Sequence, residues 1–362
     1  MVLTILITFI SLISLLVLHE FSHFILAKKF GVKVEEFGIG YPPRLIGKKI
    51  GETIYSINLL PFGAFVKILG EEERLEDPRS FNKKPIWQRI LIILGGVVSF
   101  WIIAVILLSV IAGVWGLPIS ISDEADHNLR NPKVQITQVV PESPAEKAGL
   151  QIGDIIKKLR AENLELTTDK VKEVIEFTRE NKGKEITLVI QRGKKVFDIS
   201  LIPRASPPEG EGPMGVGLAR VASKIYPWNQ APIEGARAVK NATIGIPYAL
   251  GNILWKMIRG EPIKEKIEAR GIVGIGELLV QAAERGIDEF LYLISIISIY
   301  VALFNVLPIP ALDGGKLLFL AIEKFKGQPV NPKIEQRITA LFFAMLLLLA
   351  IWVTIKDITR LF

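Results

Sequence analysis

The stretch LLVLHEFSHFILAKKF, residues 15–30, places three polar side chains inside an apolar run. These are His19, Glu20 and His23, and Glu20 is the only formal charge in residues 1–27. As a helix, those residues are about 40 Å long, enough to cross a bilayer. A carboxylate and two imidazoles at that depth cost free energy unless partners compensate them. The pattern therefore predicts a functional site within a membrane span.

The composition of the 362-residue sequence is typical of a membrane protein that also has a soluble part. Half of the residues are hydrophobic, and there is no cysteine, which excludes disulfides, thiolate metal ligands and a cysteine nucleophile. The formal net charge is +7. The basic residues of the chain lie beside apolar segments, as expected for anchoring at a membrane surface. We therefore expect the lipid bilayer as a partner and no nucleic-acid binding.

Four apolar runs predict four membrane spans, at residues 1–30, 90–117, 287–313 and 338–362. Basic residues are concentrated in the two connections 31–89 and 314–337. The positive-inside rule places those connections in the cytoplasm and the intervening residues 118–286 outside.

The connection 31–89 contains short β-like runs between glycines and prolines, which predicts a small hairpin sheet. The pattern leaves two alternatives open. The hairpin either dips into the membrane or is a soluble cytoplasmic hairpin.

Residues 133–203 predict a soluble α/β domain, with strands and one amphipathic helix capped by Thr168. Linkers flank it at residues 118–132 and 204–286. In the second linker, residues 232–258 are apolar but interrupted by Gly245 and Pro247, and they predict a pair of interfacial helices.

The histidines in the first span lie four residues apart, so they share one face of a helix. The arrangement His-Glu-x-x-His predicts two imidazole zinc ligands, His19 and His23, with Glu20 as a general base. Bound zinc would lower the pKa of a water molecule to about 7. The alternative is a pair of buried histidines bonded to neighbouring helices, but chance rarely produces this motif in a chain with three histidines.

A catalytic zinc site needs a third protein ligand. His127 lies in the external linker, on the wrong side of the membrane, and Glu35 and Glu36 are predicted to be solvated loop charges. Asp313 follows the third span, which Pro308 and Pro310 break. Asp313 could instead be the N-cap of the next helix, but the incomplete zinc site favours a ligand.

Together, the motif at residues 19–23 and Asn305-x-x-Pro308-x-Pro310-x-Leu312-Asp313-Gly314 resemble the site-2 proteases, which are intramembrane zinc metalloproteases. The four-span layout with one PDZ domain resembles the bacterial regulator-of-sigma-E protease group. This resemblance implies one catalytic Zn²⁺ ion held by His19, His23 and Asp313, with Glu20 as the catalytic base. It also implies that Asn305 helps to hold substrate or the tetrahedral intermediate, whereas its position at a helix break equally fits a packing amide.

The resemblance further implies how substrate is held. A re-entrant hairpin would offer an edge strand to substrate at Gly63, Ala64, Phe65 and Val66. Residues 133–203, which contain SPAEKAGLQIGDII, would form a PDZ domain that contacts substrate or a C-terminal peptide. The expected fold class is a polytopic α-helical membrane protein of about four transmembrane helices, with a membrane-associated β-hairpin loop and an extracytoplasmic α/β PDZ-like domain.

The implied function is cleavage of membrane spans in single-span proteins, such as an anti-sigma factor after prior trimming. The implied location is the bacterial inner membrane, with the active site toward the cytoplasm. Two alternatives are a catalytically silent membrane adaptor that uses the PDZ domain and a transporter of ions or protons. An intact Glu20 disfavours the adaptor, and four spans without an internal repeat disfavour the transporter.

Overall fold

A computed structural model describes residues 2–71, 73, 75–124, 130–162, 164–193, 195–260 and 270–361. His127 lies outside the described residues. The chain divides into two units, one of residues 1–108, 235–243 and 269–362, the other of residues 109–234 and 244–268. Each unit is described by itself.

The helices and strands have the following bounds in chain order. The helices are α1 (Val2–Lys29), α2 (Ile86–Val114), α3 (Pro144–Lys147), α4 (Val171–Glu180), α5 (Ala231–Arg259), α6 (Ile272–Arg285), α7 (Ile287–Val306), α8 (Asp313–Lys326) and α9 (Pro332–Leu361). The strands are β1 (Val34–Ile50), β2 (Thr53–Ile68), β3 (Leu117–Ser120), β4 (Arg130–Val139), β5 (Ile155–Ala161), β6 (Leu164–Thr167), β7 (Ile186–Arg192), β8 (Lys195–Leu201) and β9 (Val216–Lys224).

Four of the described helices, α1, α2, α7 and α9, are long and apolar enough to cross a membrane. This number agrees with the four predicted spans. Helix α7 ends at Val306, seven residues before the predicted end of the third span. The chain then approaches Pro308, and the residue before a proline disfavours helical backbone.

The predicted hairpin is present as β1 and β2, which form an antiparallel two-stranded sheet. Both strands bend, so residues 53–58 pair with residues 44–50 on one side and with residues 36–39 on the other. Residues 36–39 in turn pair with residues 64–67. The C-terminal part of β2, residues 64–68, therefore forms one edge of the hairpin sheet.

Two acidic residues expected in a solvated loop instead lie within β1. Glu36 accepts hydrogen bonds from the Arg44 guanidinium (2.5 Å) and the Ser56 hydroxyl (2.6 Å). Glu35 pairs with Lys67. The prediction of free loop charges was wrong because Glu36 pairs with Arg44 of its own strand and Glu35 pairs across the hairpin with Lys67.

Apolar side chains hold together the part of the first unit around His19 and His23. A buried cluster joins the end of α1, the hairpin, α2 and α8 through Ala27, Val32, Ile68, Ile92 and Leu320. A second cluster joins α1, α2, α6 and α7 through Leu15, Phe100, Leu279 and Phe290. The apolar stripes of these elements thus fix the neighbours of the two histidines.

The second unit contains a seven-stranded sheet with the order β3-β9-β4-β5-β7-β8, and β6 pairs with β5. One buried cluster lies beneath the sheet and includes Val134, Leu159, Phe177 and Leu188. Helix α3 begins after Ser143, whose hydroxyl accepts from the Glu146 N–H, while the Glu146 carboxylate accepts from the Glu142 N–H. The mixed strands and helices agree with the α/β character predicted for this region.

The N-terminus of α4 is capped by a distant residue. The two carboxylate oxygens of Asp123 accept from the backbone N–H groups of Val171 (3.0 Å) and Lys172 (2.7 Å). Thr168 accepts from the Lys170 N–H in the preceding turn. The predicted cap at Thr168 was therefore wrong. The Asp123 carboxylate, about fifty residues away in the sequence, accepts the hydrogen bonds of the N–H groups in the first turn of α4.

The interfacial helix pair predicted at residues 232–258 was also wrong. One helix, α5, runs from Ala231 to Arg259 with Pro247 inside it. A proline within a helix removes one backbone hydrogen bond and kinks the helix without necessarily ending it.

We expect Asp123→Ala to destabilise the first turn of α4 by about 1 kcal/mol, because two backbone N–H groups lose their acceptor. Hydrogen exchange of the intact protein, followed by mass spectrometry, would show faster exchange in residues 171–180. Glu124→Gln is the matched control, since Glu124 pairs with the exposed Lys172 ammonium. Equal exchange in Asp123→Ala and the unchanged protein would contradict the capping role.

Candidate active site

The two histidines of the motif face each other from adjacent turns of α1. His19 and His23 are buried, with 8% and 7% of their surfaces exposed. Their rings meet edge to face at 4.7 Å, and their Nε2 atoms are 3.3 Å apart. The spacing of four residues thus presents both imidazoles to one point beside the helix.

Asp313 is the first residue of α8, and its Oδ2 atom lies 3.5 Å from the Nε2 atoms of both histidines. The residue at the N-cap position is Leu312. A Cβ on Gly314 would meet the carbonyl oxygens of Val306 and Leu307, and one on Gly315 would meet the carbonyl of Ile309. Two glycines therefore allow the tight turn that delivers Asp313 to the imidazoles.

The structure does not favour the interpretation of Asp313 as a helix cap. Within the described part of the chain, its Oδ2 atom is buried and has no hydrogen-bond partner. The carboxylate points instead at two aromatic nitrogens.

The backbone of α2 orients the imidazole ring of His23. Its Nδ1 atom lies 2.8 Å from the carbonyl oxygen of Ile92, so Nδ1 carries the hydrogen and Nε2 keeps its lone pair. A backbone carbonyl on the far ring nitrogen is the usual arrangement for a metal-binding histidine. On the other side, the ring of Phe100 stacks on His19 at 4.7 Å.

These ligand atoms fit a zinc ion. The three atoms are separated by 3.3, 3.5 and 3.5 Å. A tetrahedral zinc ion with bonds of about 2.0–2.1 Å separates its ligand atoms by about 3.3–3.4 Å. The three residues also form the one cluster of possible metal ligands found among the described residues. Two imidazoles and one carboxylate are the ligand set of several catalytic zinc sites.

A cavity of about 800 Å³ opens beside this cluster, and Glu20 lines it together with His23 and Asp313. The edge segment of β2 also lines the cavity, through Ala64, Phe65, Val66 and Ile68. Three of the five residues predicted to bind substrate thus lie at the same cavity as His23.

Two other predicted substrate contacts lie elsewhere. Gly63, with φ of +132°, packs near Tyr41 and Leu16. The side-chain amide of Asn305 donates to the carbonyl of Val301 in its own helix at 3.0 Å. Among the residues described, neither Gly63 nor Asn305 lines the cavity.

Two ion pairs at the cavity were not predicted from the sequence. Lys316 contacts Glu71 at 2.6 Å, and Arg89 contacts Glu323 at 2.5 Å. Their partners are more than 230 residues apart in the sequence, so local patterns carried no signal for them.

Gly96 allows α2 to pass close to the imidazoles. A Cβ at this position would meet Nε2 of His23 and Cε1 of His19. We expect Gly96→Ala to displace both rings and to reduce the zinc content of the purified protein well below one ion per chain, measured by plasma mass spectrometry.

The neighbouring glycine supplies the control. A Cβ on Gly95 would meet the flexible side chain of Leu26, which can move aside. Gly95→Ala should therefore retain zinc, and equal zinc contents in both variants would contradict the close approach at Gly96.

Comparison with known proteins agrees with this geometry. Residues 7–349 match the model of Peptidase family M50. The chain is 33% identical over 345 residues to a protein of Clostridium perfringens that carries the name of a zinc metalloprotease, covering 95% of both chains. A protein of the same name in Clostridium acetobutylicum is 31% identical, with 95% of this chain and 94% of that protein covered.

The regulator of sigma-W protease of Bacillus subtilis is 28% identical over 430 residues, with 96% of each chain covered. These bacterial relatives and the four apolar helices indicate a bacterial membrane protein. The chain belongs to Peptidase family M50, the site-2 protease family, and is a zinc metalloprotease.

Proposed function

We propose that this metalloprotease cleaves membrane-spanning segments of single-span proteins within the bilayer. In this proposal His19, His23 and Asp313 hold the zinc ion and Glu20 is the general base. The observation that carries the proposal is the triangle of two imidazole nitrogens and one carboxylate oxygen, 3.3–3.5 Å apart, beside an apolar helix.

The position of the triangle along α1 supports cleavage near the cytoplasmic face. His23 lies six residues before Lys29, about 9 Å along a helix. Basic residues continue into the connection after α1, which favours a cytoplasmic location for this end. We therefore orient the active site toward the cytoplasm and place the second unit on the opposite side.

The chemistry divides between the metal and Glu20. When bound, zinc supplies a Lewis acid that acidifies water and polarises the scissile carbonyl. The Glu20 carboxylate accepts a proton from the attacking water and donates it to the leaving amine. His23 keeps its orientation through the Ile92 carbonyl, so its lone pair stays directed into the site.

A peptide bond within a helix must become extended before it can be cleaved, and the edge of the hairpin sheet can hold such a segment. Residues 64–68 pair on one side with β1 in the described part of the chain, and they line the cavity. A substrate strand added to this edge would form backbone hydrogen bonds beside Glu20. Ala64, Phe65 and Val66 are thus our candidates for substrate contact.

Several apolar side chains of the hairpin support its insertion into the membrane. Leu45, Ile46, Ile57 and Phe62 each expose more than half of their surfaces. Such exposure would be costly in water but favourable in lipid. This observation favours the re-entrant hairpin over the soluble alternative.

Residues 133–203 are proposed to form a PDZ-like domain outside the cytoplasm. The antiparallel pairing of β4 with β5, β5 with β7 and β7 with β8, and the capped turn at residues 143–147, support this proposal. The domain would contact substrate or a C-terminal peptide. Because one relative is a regulator of sigma-W protease, we propose a membrane-bound anti-sigma factor as substrate, cleaved after prior trimming.

We expect Glu20→Gln to abolish cleavage and to leave zinc binding intact, because Gln cannot take up a proton but has nearly the same shape. Purified enzyme and a reporter protein with a single membrane span, both in liposomes, provide the assay. The rate should fall at least about 100-fold, the lower end of the contribution of a general base.

Zinc content measured on the same sample separates the alternatives. Undiminished cleavage by the Glu20→Gln enzyme would overturn the role of Glu20. If the unchanged enzyme also failed to cleave the reporter, the adaptor hypothesis would replace the intramembrane protease.

Asp313→Asn should weaken zinc binding, because a neutral amide is a poorer ligand than a carboxylate. The loss should exceed the roughly 10- to 100-fold reduction seen when an outer-shell partner is removed. Competition with a chelating dye would measure the affinity. Full zinc occupancy in this variant would exclude Asp313 as a ligand.

A further inference from the structure

One face of α8 carries four residues spaced three or four positions apart. They are Asp313, Lys316, Leu320 and Glu323, and all four line the cavity. Residues with this spacing lie in one row along a helix. Each of them contacts a different part of the first unit.

The two charged residues after Asp313 each form an ion pair. The Lys316 ammonium donates to Glu71, which follows the edge segment of β2, at 2.6 Å. Glu323 accepts two hydrogen bonds, at 2.5 and 3.1 Å, from the guanidinium of Arg89 in the first turn of α2. Between these pairs, Leu320 packs in the apolar cluster with Ala27 and Ile92.

The Arg89 pair is a strong constraint on geometry. Only 7% of the surface of Arg89 is exposed. Two nitrogen atoms of the Arg89 guanidinium donate to the two oxygens of the Glu323 carboxylate. This arrangement restricts the direction of the contact as well as its length. A rotation of α8 about its axis would break this pair.

Asp313 itself lacks such a restraint. It lies at the first position of its helix, after a turn that contains Pro308 and Pro310. Its Oδ2 atom makes no hydrogen bond to any residue that the structure describes. The position of this carboxylate therefore depends on the rotation and position of α8. A metal site requires its ligands to lie within about 0.5 Å of the productive geometry.

We propose that the ion pairs Lys316–Glu71 and Arg89–Glu323 are positioning pairs that hold α8 so that Asp313 reaches the zinc site. The inference rests on the proposed role of Asp313 as a zinc ligand. It also connects substrate binding to the metal, since Glu71 lies three residues after the edge segment to which substrate would add.

The test is the zinc affinity of the full-length protein in detergent, measured by competition with a chelating dye. Lys316→Met and Glu71→Gln each remove one charge and preserve side-chain length. We expect each variant to bind zinc about 10- to 100-fold more weakly, as for other residues that orient metal ligands. Glu323→Gln should act in the same direction.

Lys158→Met is the matched control. Lys158 also pairs with a glutamate, Glu165, at 2.6 Å, and its side chain is exposed to a similar degree, 41% against 46% for Lys316. This pair joins β5 and β6 in the second unit. Its loss should leave zinc affinity unchanged.

A second readout distinguishes positioning from general damage. Cobalt(II) in place of zinc reports its ligand set by visible absorption, and displacement of Asp313 should shift that spectrum toward the spectrum of the Asp313→Ala variant.

A double variant that exchanges the two charges, Lys316→Glu with Glu71→Lys, should restore much of the zinc affinity lost in either single variant. Circular dichroism would confirm that each variant keeps its helices, and Glu71→Gln decides the matter if Lys316→Met does not fold.

The outcomes separate this inference from the proposed function. If Asp313→Ala lowers zinc affinity but Lys316→Met, Glu71→Gln and Glu323→Gln do not, the positioning role is wrong and the ligand set stands. If Asp313→Ala binds zinc normally, the ligand set itself is wrong and the inference fails with it.

Discussion

The structure depends on one electrostatic problem, the meeting of three electron-rich atoms in an apolar environment. Two imidazole nitrogens and one carboxylate oxygen lie 3.3–3.5 Å apart. When neither a proton nor a metal ion lies between them, these atoms repel one another, and all three residues are largely buried. A zinc ion at this point, as we propose, would remove the repulsion. The arrangement of α1, α2 and α8 can be understood as the support that this site requires.

That support is built from small residues and charged pairs. Gly96 brings α2 against both imidazoles, and Gly314 and Gly315 permit the turn before α8. Small residues are the common means of close helix approach in a membrane, where apolar burial alone favours no partner. The ion pairs Lys316–Glu71 and Arg89–Glu323 add contacts with a defined direction, which apolar contacts lack.

Local sequence patterns predicted the helices and strands well but predicted the contacts between distant residues poorly. The four apolar helices, the hairpin and strands of the second unit follow from hydropathy and turn residues, which act over a few positions. The cap of α4 and the partners of Glu36 come from elsewhere in the chain. Helix α5 continues through Pro247, although proline usually marks an end. The cap of α4 shows why such partners escape prediction, because a local pattern does not include a carboxylate 48 residues away in the sequence.

The sequence by itself determined that His19, Glu20 and His23 lie near one side of one helix, because their spacing places all three there. It also made Asp313 the candidate for the third protein ligand that a catalytic zinc site needs. Only the tertiary structure decided the distance between that carboxylate and the imidazoles, and the edge strand beside them. Both depend on how α8 and the hairpin pack, and packing between segments hundreds of residues apart leaves no periodic trace in the sequence.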